Sequence, residues 1–117
     1  MTVTVIRPGR LVQVEPDKLT ADDIIDFAAA LIEVHGWVQH DSGDEKRGWS
    51  IHGALGEASR RATQSRGKDD SAARRFRDQA NAQIKAKYDM DDIKLNDTSA
   101  NADEAVQRLL NAKGVTV

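Results

Sequence analysis

Large aromatic side chains are scarce in this chain, and both tryptophans, Trp37 and Trp49, fall in one short stretch, each directly after a glycine. Aromatic residues make up 4% of the 117 residues, so alanine and aliphatic side chains must fill most of the core. A large ring at the boundary of an element can cover an exposed helix end. We therefore expect Trp37 and Trp49 to lie close together, at least half buried, at the joint between the first two helices. A ring left exposed there would be the first candidate for a contact with a partner.

Capping residues and helical periodicity predict an α+β, mainly helical fold with about four helices. Thr20 with two following acids opens the first helix, and Gly36 stops it. Ser50 caps the second, the segment 69–71 begins the third, and Asn101 caps the last, which Gly114 ends. Segment 93–95 is too short to assign. The residues expected to face inward are Ile24, Phe27, Ala28, Leu31, Ile32, His35, Ile51, Ala54, Leu55, Ala58, Ala62, Ala73, Phe76, Ala80, Ile84, Tyr88, Ala105, Val106, Leu109 and Leu110.

The second helix contains two glycines, Gly53 and Gly56, which weaken it locally. Their missing side chains would let another element approach closely. The loop before this helix, 40–46, has the aspartate, serine and glycine content of turns.

Residues 1–16 predict an N-terminal β-hairpin or arm, followed by a single helical domain over 17–117. β-Branched residues dominate both arms, and Pro8 and Gly9 between them suit a type II turn. A hairpin alone is marginal in water, so it should pack on the helices or pair with a strand from 115–117. Alternatively, its open edge pairs with a second copy, so the protein is a monomer or a homodimer through this hairpin.

The net charge of −2 is unevenly distributed along the chain. Residues 1–45 hold three basic and nine acidic residues, residues 46–88 eleven and four, and residues 89–117 three and six. One interpretation is that the acidic segments fold against the basic middle and neutralise it. The other is that the basic middle forms a face for an anionic partner.

Composition also limits where the protein acts. The chain has no cysteine, which excludes a disulfide framework, a thiolate nucleophile and a Cys-ligated zinc site. No apolar run approaches the roughly 18 residues needed to span a bilayer, and the first residues do not resemble a signal peptide. We therefore expect a cytoplasmic protein with no membrane partner.

Four segments, followed by a capped helix with Glu104-Ala105-Val106, resemble domain-of-unknown-function family 6197. They are Leu31–Glu33, Gly36–Gln39, Arg47–Leu55 and Leu95–Asp97. The resemblance covers roughly residues 20–114 and implies an actinobacterial or phage setting, but no activity. The family typically has cysteines at the positions of Val38 and Ser50 and a tryptophan at that of Leu95.

The histidines and acids do not form a recognisable catalytic or metal-binding motif. His35, His40, His52 and Asp41 lack the spacing that would place two metal ligands on one helix face. The acids at 22–26 fit a helix start, and those at 89–92 fit a solvated turn. Ser50 is explained by its role as a helix cap. We expect no enzymatic activity, no metal and no cofactor.

The remaining interpretation is a non-enzymatic accessory protein that binds another protein, either a host protein or a second copy of itself. The alternative is nucleic-acid binding by the basic helices within 60–77, although aromatic residues for base stacking are absent there apart from Phe76. The candidate partner-binding residues are Trp37, Trp49, Arg60, Arg61, Arg74 and Arg75.

Overall fold

The computed structural model describes residues 2–64 and 71–117. The fold is α+β and mainly helical, with an antiparallel N-terminal hairpin, as predicted. In chain order the elements are β1 (Val3–Arg7), β2 (Arg10–Val14), a 3-10 turn (Pro16–Lys18), α1 (Ala21–His35), β3 (Gly43–Asp44), β4 (Gly48–Trp49), α2 (Ile51–Thr63), α3 (Ser71–Tyr88), α4 (Asp92–Asp97) and α5 (Ala102–Asn111).

Helix α1 is the central element of the core. The predicted inward stripe is buried except for His35, which is partly buried at the helix end. Ile25, Ala29 and Ala30 on its other sides are also buried, because the hairpin, α2, α3 and α5 surround the helix. Its N-terminus forms a capping box in which the Thr20 hydroxyl accepts from the Asp23 backbone and the Asp23 carboxylate accepts from the Thr20 backbone. Gly36 ends the helix with a φ of 100°. Both predicted ends are confirmed.

The hairpin packs on α1, which confirms that prediction. Val3 and Val5 of β1 are buried in the shared core, and Gly9 takes the positive φ of 83° that the turn needs. The proposed pairing with 115–117 is wrong, because those residues form no strand and Val117 is 80% exposed.

An ion-pair cluster, formed by Arg7, Asp23, Asp26 and Lys113, fastens the hairpin to α1. Arg7 Nη2 lies 3.0 Å from Asp23 Oδ1, and Arg7 Nε lies 3.6 Å from Asp26 Oδ2. Lys113 Nζ lies 2.9 Å from the other oxygen of Asp26. Both carboxylates are almost fully buried, so these cations offset the cost of removing them from water.

The predicted inward faces of α2, α3 and α5 are confirmed, with Phe76, Tyr88 and Leu110 partly buried at the edges. Close approach is confirmed at Gly53, where a Cβ would lie 2.0 Å from the carbonyl oxygen of Ser42. Gly56 would meet only the flexible end of Arg60, at 3.3 Å. The start of the third helix falls partly on residues 65–70, which lie outside the described residues.

Helix α4 forms where the sequence pattern was too short to assign. Asp91 caps it by accepting from the backbone of Lys94, and Leu95 is fully buried. The interpretation of 89–92 as a solvated turn is wrong for Asp92, which is 4% exposed. Among the described helices, none is long and apolar enough to cross a lipid bilayer.

We predict that Arg7→Leu destabilises the protein, because it leaves Asp23 buried without a cation. The expected loss is roughly 2 kcal/mol, less than for a fully buried pair because the Arg7 side chain is 29% exposed. Urea unfolding followed by circular dichroism measures it. The matched control is Lys18→Leu, whose side chain is 72% exposed and pairs only with Glu15 among the described residues. Equal stability of the two variants would contradict a role for the ion-pair cluster.

Candidate functional site

One buried amide, that of Asn96, holds three segments together. Its side-chain oxygen accepts from the Trp37 indole nitrogen at 2.6 Å and from the Ile51 backbone nitrogen at 2.9 Å. Its side-chain nitrogen donates to the Val38 carbonyl at 3.0 Å. Asn96 is 1% exposed, so water does not replace these bonds. The amide therefore connects α4 to the segment after α1 and to the first turn of α2.

The two tryptophans meet at this joint, as predicted. Trp37 and Trp49 form a parallel β-bridge, in which the Trp49 backbone donates to the Gly36 carbonyl at 2.9 Å. Trp49 is 7% exposed and belongs to the core, whereas Trp37 is partly buried. Gly48 permits the contact, because a Cβ there would lie 2.5 Å from the Gly36 carbonyl carbon. The buried position of Trp49 leaves little of its ring for a partner.

A cleft of about 360 Å³ opens beside the joint, between the loop after Trp37, the start of α2 and α4. We call it the histidine cleft. Its lining residues are His40, Asp41, Ser42, Ser50, His52, Ile93, Asn96 and Asp97. None of these eight is lysine or arginine.

Each histidine in the cleft is held by an aspartate. His52 Nδ1 lies 2.8 Å from Asp92 Oδ2, and Asp92 is itself buried. His40 Nδ1 lies 3.3 Å from Asp97 Oδ2, while the His40 backbone donates to the other Asp97 oxygen at 3.1 Å. A carboxylate at Nδ1 fixes the orientation of the ring and leaves Nε2 for another contact. The side chains of His52 and His40 are 42% and 74% exposed.

The rim carboxylates stay ionised near neutral pH. The backbone N–H of His40 lowers the pKa of Asp97 below its ordinary value. The Arg47 guanidinium, 2.6 Å from Asp41 Oδ2, lowers the pKa of Asp41 in the same direction. Asp41 and Asp97 line the cleft, whereas Arg47 does not. The wall of the cleft therefore carries more negative than positive charge.

The hydroxyl of Ser50 is already occupied. It accepts from the Gly53 backbone at 3.0 Å, as a cap of α2, and donates to the Ser42 carbonyl at 3.2 Å. A serine bonded in this way lacks the adjacent base that would activate it as a nucleophile. Within residues 2–64 and 71–117, no group of three or more histidines and acids is arranged to hold a metal ion.

The predicted basic residues differ in how they are engaged. Arg60 and Arg61 each lie 3.0 Å from a carboxylate oxygen of Glu57, and Arg61 also pairs with Glu45. Arg74 and Arg75 are exposed on α3. The guanidinium of Arg75 lies 5.6 Å from the centre of the Phe76 ring. Arg66 and Lys68 lie outside the described residues. None of the six candidate partner-binding residues lines the histidine cleft, although Trp37 bonds to Asn96, which does.

Sequence reasoning named both histidines but missed their partners, Asp92 and Asp97, and the amide of Asn96. His52 and Asp92 are 40 positions apart, and Trp37 and Asn96 are 59 apart, so no local spacing connects them. The available signal was the Leu95-Asn96-Asp97 segment of the family resemblance.

We predict that Asn96→Leu, which keeps the volume but removes the amide, costs roughly 3 kcal/mol of stability. The reason is that a buried donor without a partner costs about 1–3 kcal/mol, and Trp37 and Ile51 would each lose theirs. Urea unfolding measures the loss, and the indole N–H resonance of Trp37 should shift in the NMR spectrum. Asn111→Leu, at an exposed position, is the control. A loss below about 1 kcal/mol would contradict this role for Asn96.

Searches of the curated proteins and of the solved structures give no match to this chain. A family model, described as a family of unknown function (DUF6197), matches residues 16–114. Three of the segments that carry the family resemblance, 36–39, 47–55 and 95–97, meet around Asn96. Ser50 stands where a cysteine is typical of the resembling segments, and it caps α2. Leu95 stands where a tryptophan is typical, and it fills the core. The β-hairpin at 3–14 lies outside the matched residues. The chain therefore belongs to the DUF6197 family.

Proposed function

We propose that this protein is a non-enzymatic binding domain that holds a basic segment of another protein in the histidine cleft. The observation that carries the proposal is the lining of this cleft. It combines ionised carboxylates, two carboxylate-held imidazoles and an exposed apolar side chain, without any lysine or arginine.

Charge supports a basic occupant. Asp41 and Asp97 lie at the cleft with lowered pKa values, and Asp92 lies beneath His52. A lysine or arginine of a partner would meet Asp97, which contacts His40, and Asp41, where it would share the carboxylate with Arg47. Exposed ion pairs contribute only about 0–1 kcal/mol each, so charge selects the partner more than it supplies affinity.

Affinity would come from apolar contact with Ile93. Its side chain is 50% exposed on α4, beside the cleft rather than in the core. The helix that carries it is fixed at both ends, by the Asp91 cap and by the Asn96 amide. A surface that is already rigid loses little conformational entropy on binding, which favours recognition of a short segment.

The same residues favour binding over catalysis. Both hydrogen-bonding capacities of the Ser50 hydroxyl are used within the protein, and the carboxylates act as partners of the histidines and of Arg47. The setting we propose, a cytoplasmic accessory protein of actinobacterial or phage origin, rests on the family resemblance and on the absence of cysteine.

We predict that peptides selected from a random display library against this protein are enriched in lysine or arginine. Their binding should weaken about fivefold in Ile93→Ala, which removes apolar contact, and about two- to threefold in Asp41→Asn, which removes a rim charge. Calorimetric titration of one selected peptide measures both changes. The amide resonances of residues 40–42, 50–52 and 93–97 should shift on titration.

Two matched variants control for general effects. Val117→Ala shortens an exposed apolar side chain outside the cleft, and Asp78→Asn removes an exposed charge on α3. Both should bind the peptide like the parent protein. Selection of acidic peptides, or equal losses in the control variants, would disprove the assignment of the cleft.

Nucleic-acid binding by the basic helices is the competing function, and α2 supports it weakly. Arg60 and Arg61 would have to leave Glu57 and Glu45 to reach a phosphate. Arg74 and Arg75, which are exposed on α3, are residues to test. Retention on duplex DNA at physiological salt, lost in a protein with both changed to glutamate, would favour this alternative over the cleft.

A further inference from the structure

A second surface lies between the hairpin and the C-terminal half of α1, and it is independent of the histidine cleft. It forms a groove of about 230 Å³, which we call the hairpin groove. Its lining includes Ile6, Arg10, Leu11, Ala30, Glu33 and Val34.

The hairpin groove concentrates exposed apolar surface. Leu11 is 67% exposed and Val34 71% exposed, and they are two of the four large apolar side chains exposed among the described residues. Ile6, directly across the hairpin from Leu11, is partly buried. Ala30, one helical turn before Val34, is 2% exposed and lies at the base. Neighbouring apolar side chains left in water favour a partner that covers them.

The charges at this groove identify the partner. Arg10 comes from β2 and Glu33 from α1, both are exposed, and neither forms an ion pair with the part of the chain described here. A two-fold symmetric contact brings the same patch of two copies together, so Arg10 of each copy can face Glu33 of the other. The patch is therefore complementary to itself in charge, and its apolar residues are covered in the same contact.

We propose that the hairpin groove is the interface of a homodimer, with Leu11 and Val34 as its apolar centre and reciprocal Arg10–Glu33 pairs at its edges. The contact is made by side chains of the groove rather than by the open edge of β2. Half of this surface precedes residue 16, where the family match begins, so the dimer is a feature of the chain with its hairpin.

Charge exchange provides a specific test. Sedimentation velocity over about a hundredfold range of protein concentration gives the dimer dissociation constant. Arg10→Glu alone and Glu33→Arg alone each place like charges in contact and should raise this constant about tenfold. The double variant, Arg10→Glu with Glu33→Arg, restores opposite charges and should dimerise like the parent. Rescue of this kind requires that the two residues meet across the interface.

The apolar centre is tested separately. Leu11→Asn with Val34→Asn should abolish dimerisation, whereas Val117→Asn, at a residue that is 80% exposed, should not change it. Circular dichroism checks that each variant folds. A parent protein that stays monomeric throughout overturns the proposal. A dimer that tolerates both single charge variants, or a double variant without rescue, also overturns it.

Discussion

The hydrogen bonds of Asn96 fix the geometry on which the candidate site depends. An amide can accept twice on its oxygen while donating from its nitrogen. Asn96 makes all three contacts, two to the segment after α1 and one to α2. A carboxylate in its place could not donate to the Val38 carbonyl, and an aliphatic side chain could do neither. The position of α4 relative to α2, and hence the width of the histidine cleft, therefore depends on this buried side chain together with the contact between His52 and Asp92.

The ion pairs of Arg47, Arg60 and Arg61 join individual residues of a loop or helix rather than whole acidic and basic segments. Arg47 pairs with Asp41 and Asp44 in its own loop, and Arg60 pairs with Glu57 within one helix. The pair between Arg61 and Glu45 joins α2 to the preceding loop. These contacts agree with neutralisation of the basic middle for α2. The lining of the histidine cleft contains no lysine or arginine, although Arg47 reaches Asp41 from outside the lining.

The elements whose causes are local could be predicted from the sequence. Thr20, Ser50 and Asn101 cap the helices as expected, because capping depends on residues three positions apart. Helix α4 escaped prediction because its six residues are too few for a periodic pattern, and tertiary burial of Leu95 stabilises it instead. The histidine–aspartate pairs could not be predicted from the sequence either, because each joins residues that only the folded chain brings together. The tryptophan joint was predictable because a glycine directly precedes each tryptophan.

The hairpin covers α1 and also supplies a cation to two buried carboxylates of this helix. Asp23 serves the N-terminal cap with one oxygen and Arg7 with the other, so a residue of the family region depends on a cation outside it. Asp26 receives Lys113 near the C-terminal end of the matched region as well as Arg7 from β1. The burial of these carboxylates is therefore compensated from both ends of the chain. By pairing with Asp23 and Asp26, Arg7 anchors the hairpin. Arg10, three residues later, remains available beside Leu11 and Val34. The segment that stabilises the N-terminal half of α1 thus also supplies half of the groove at its C-terminal end.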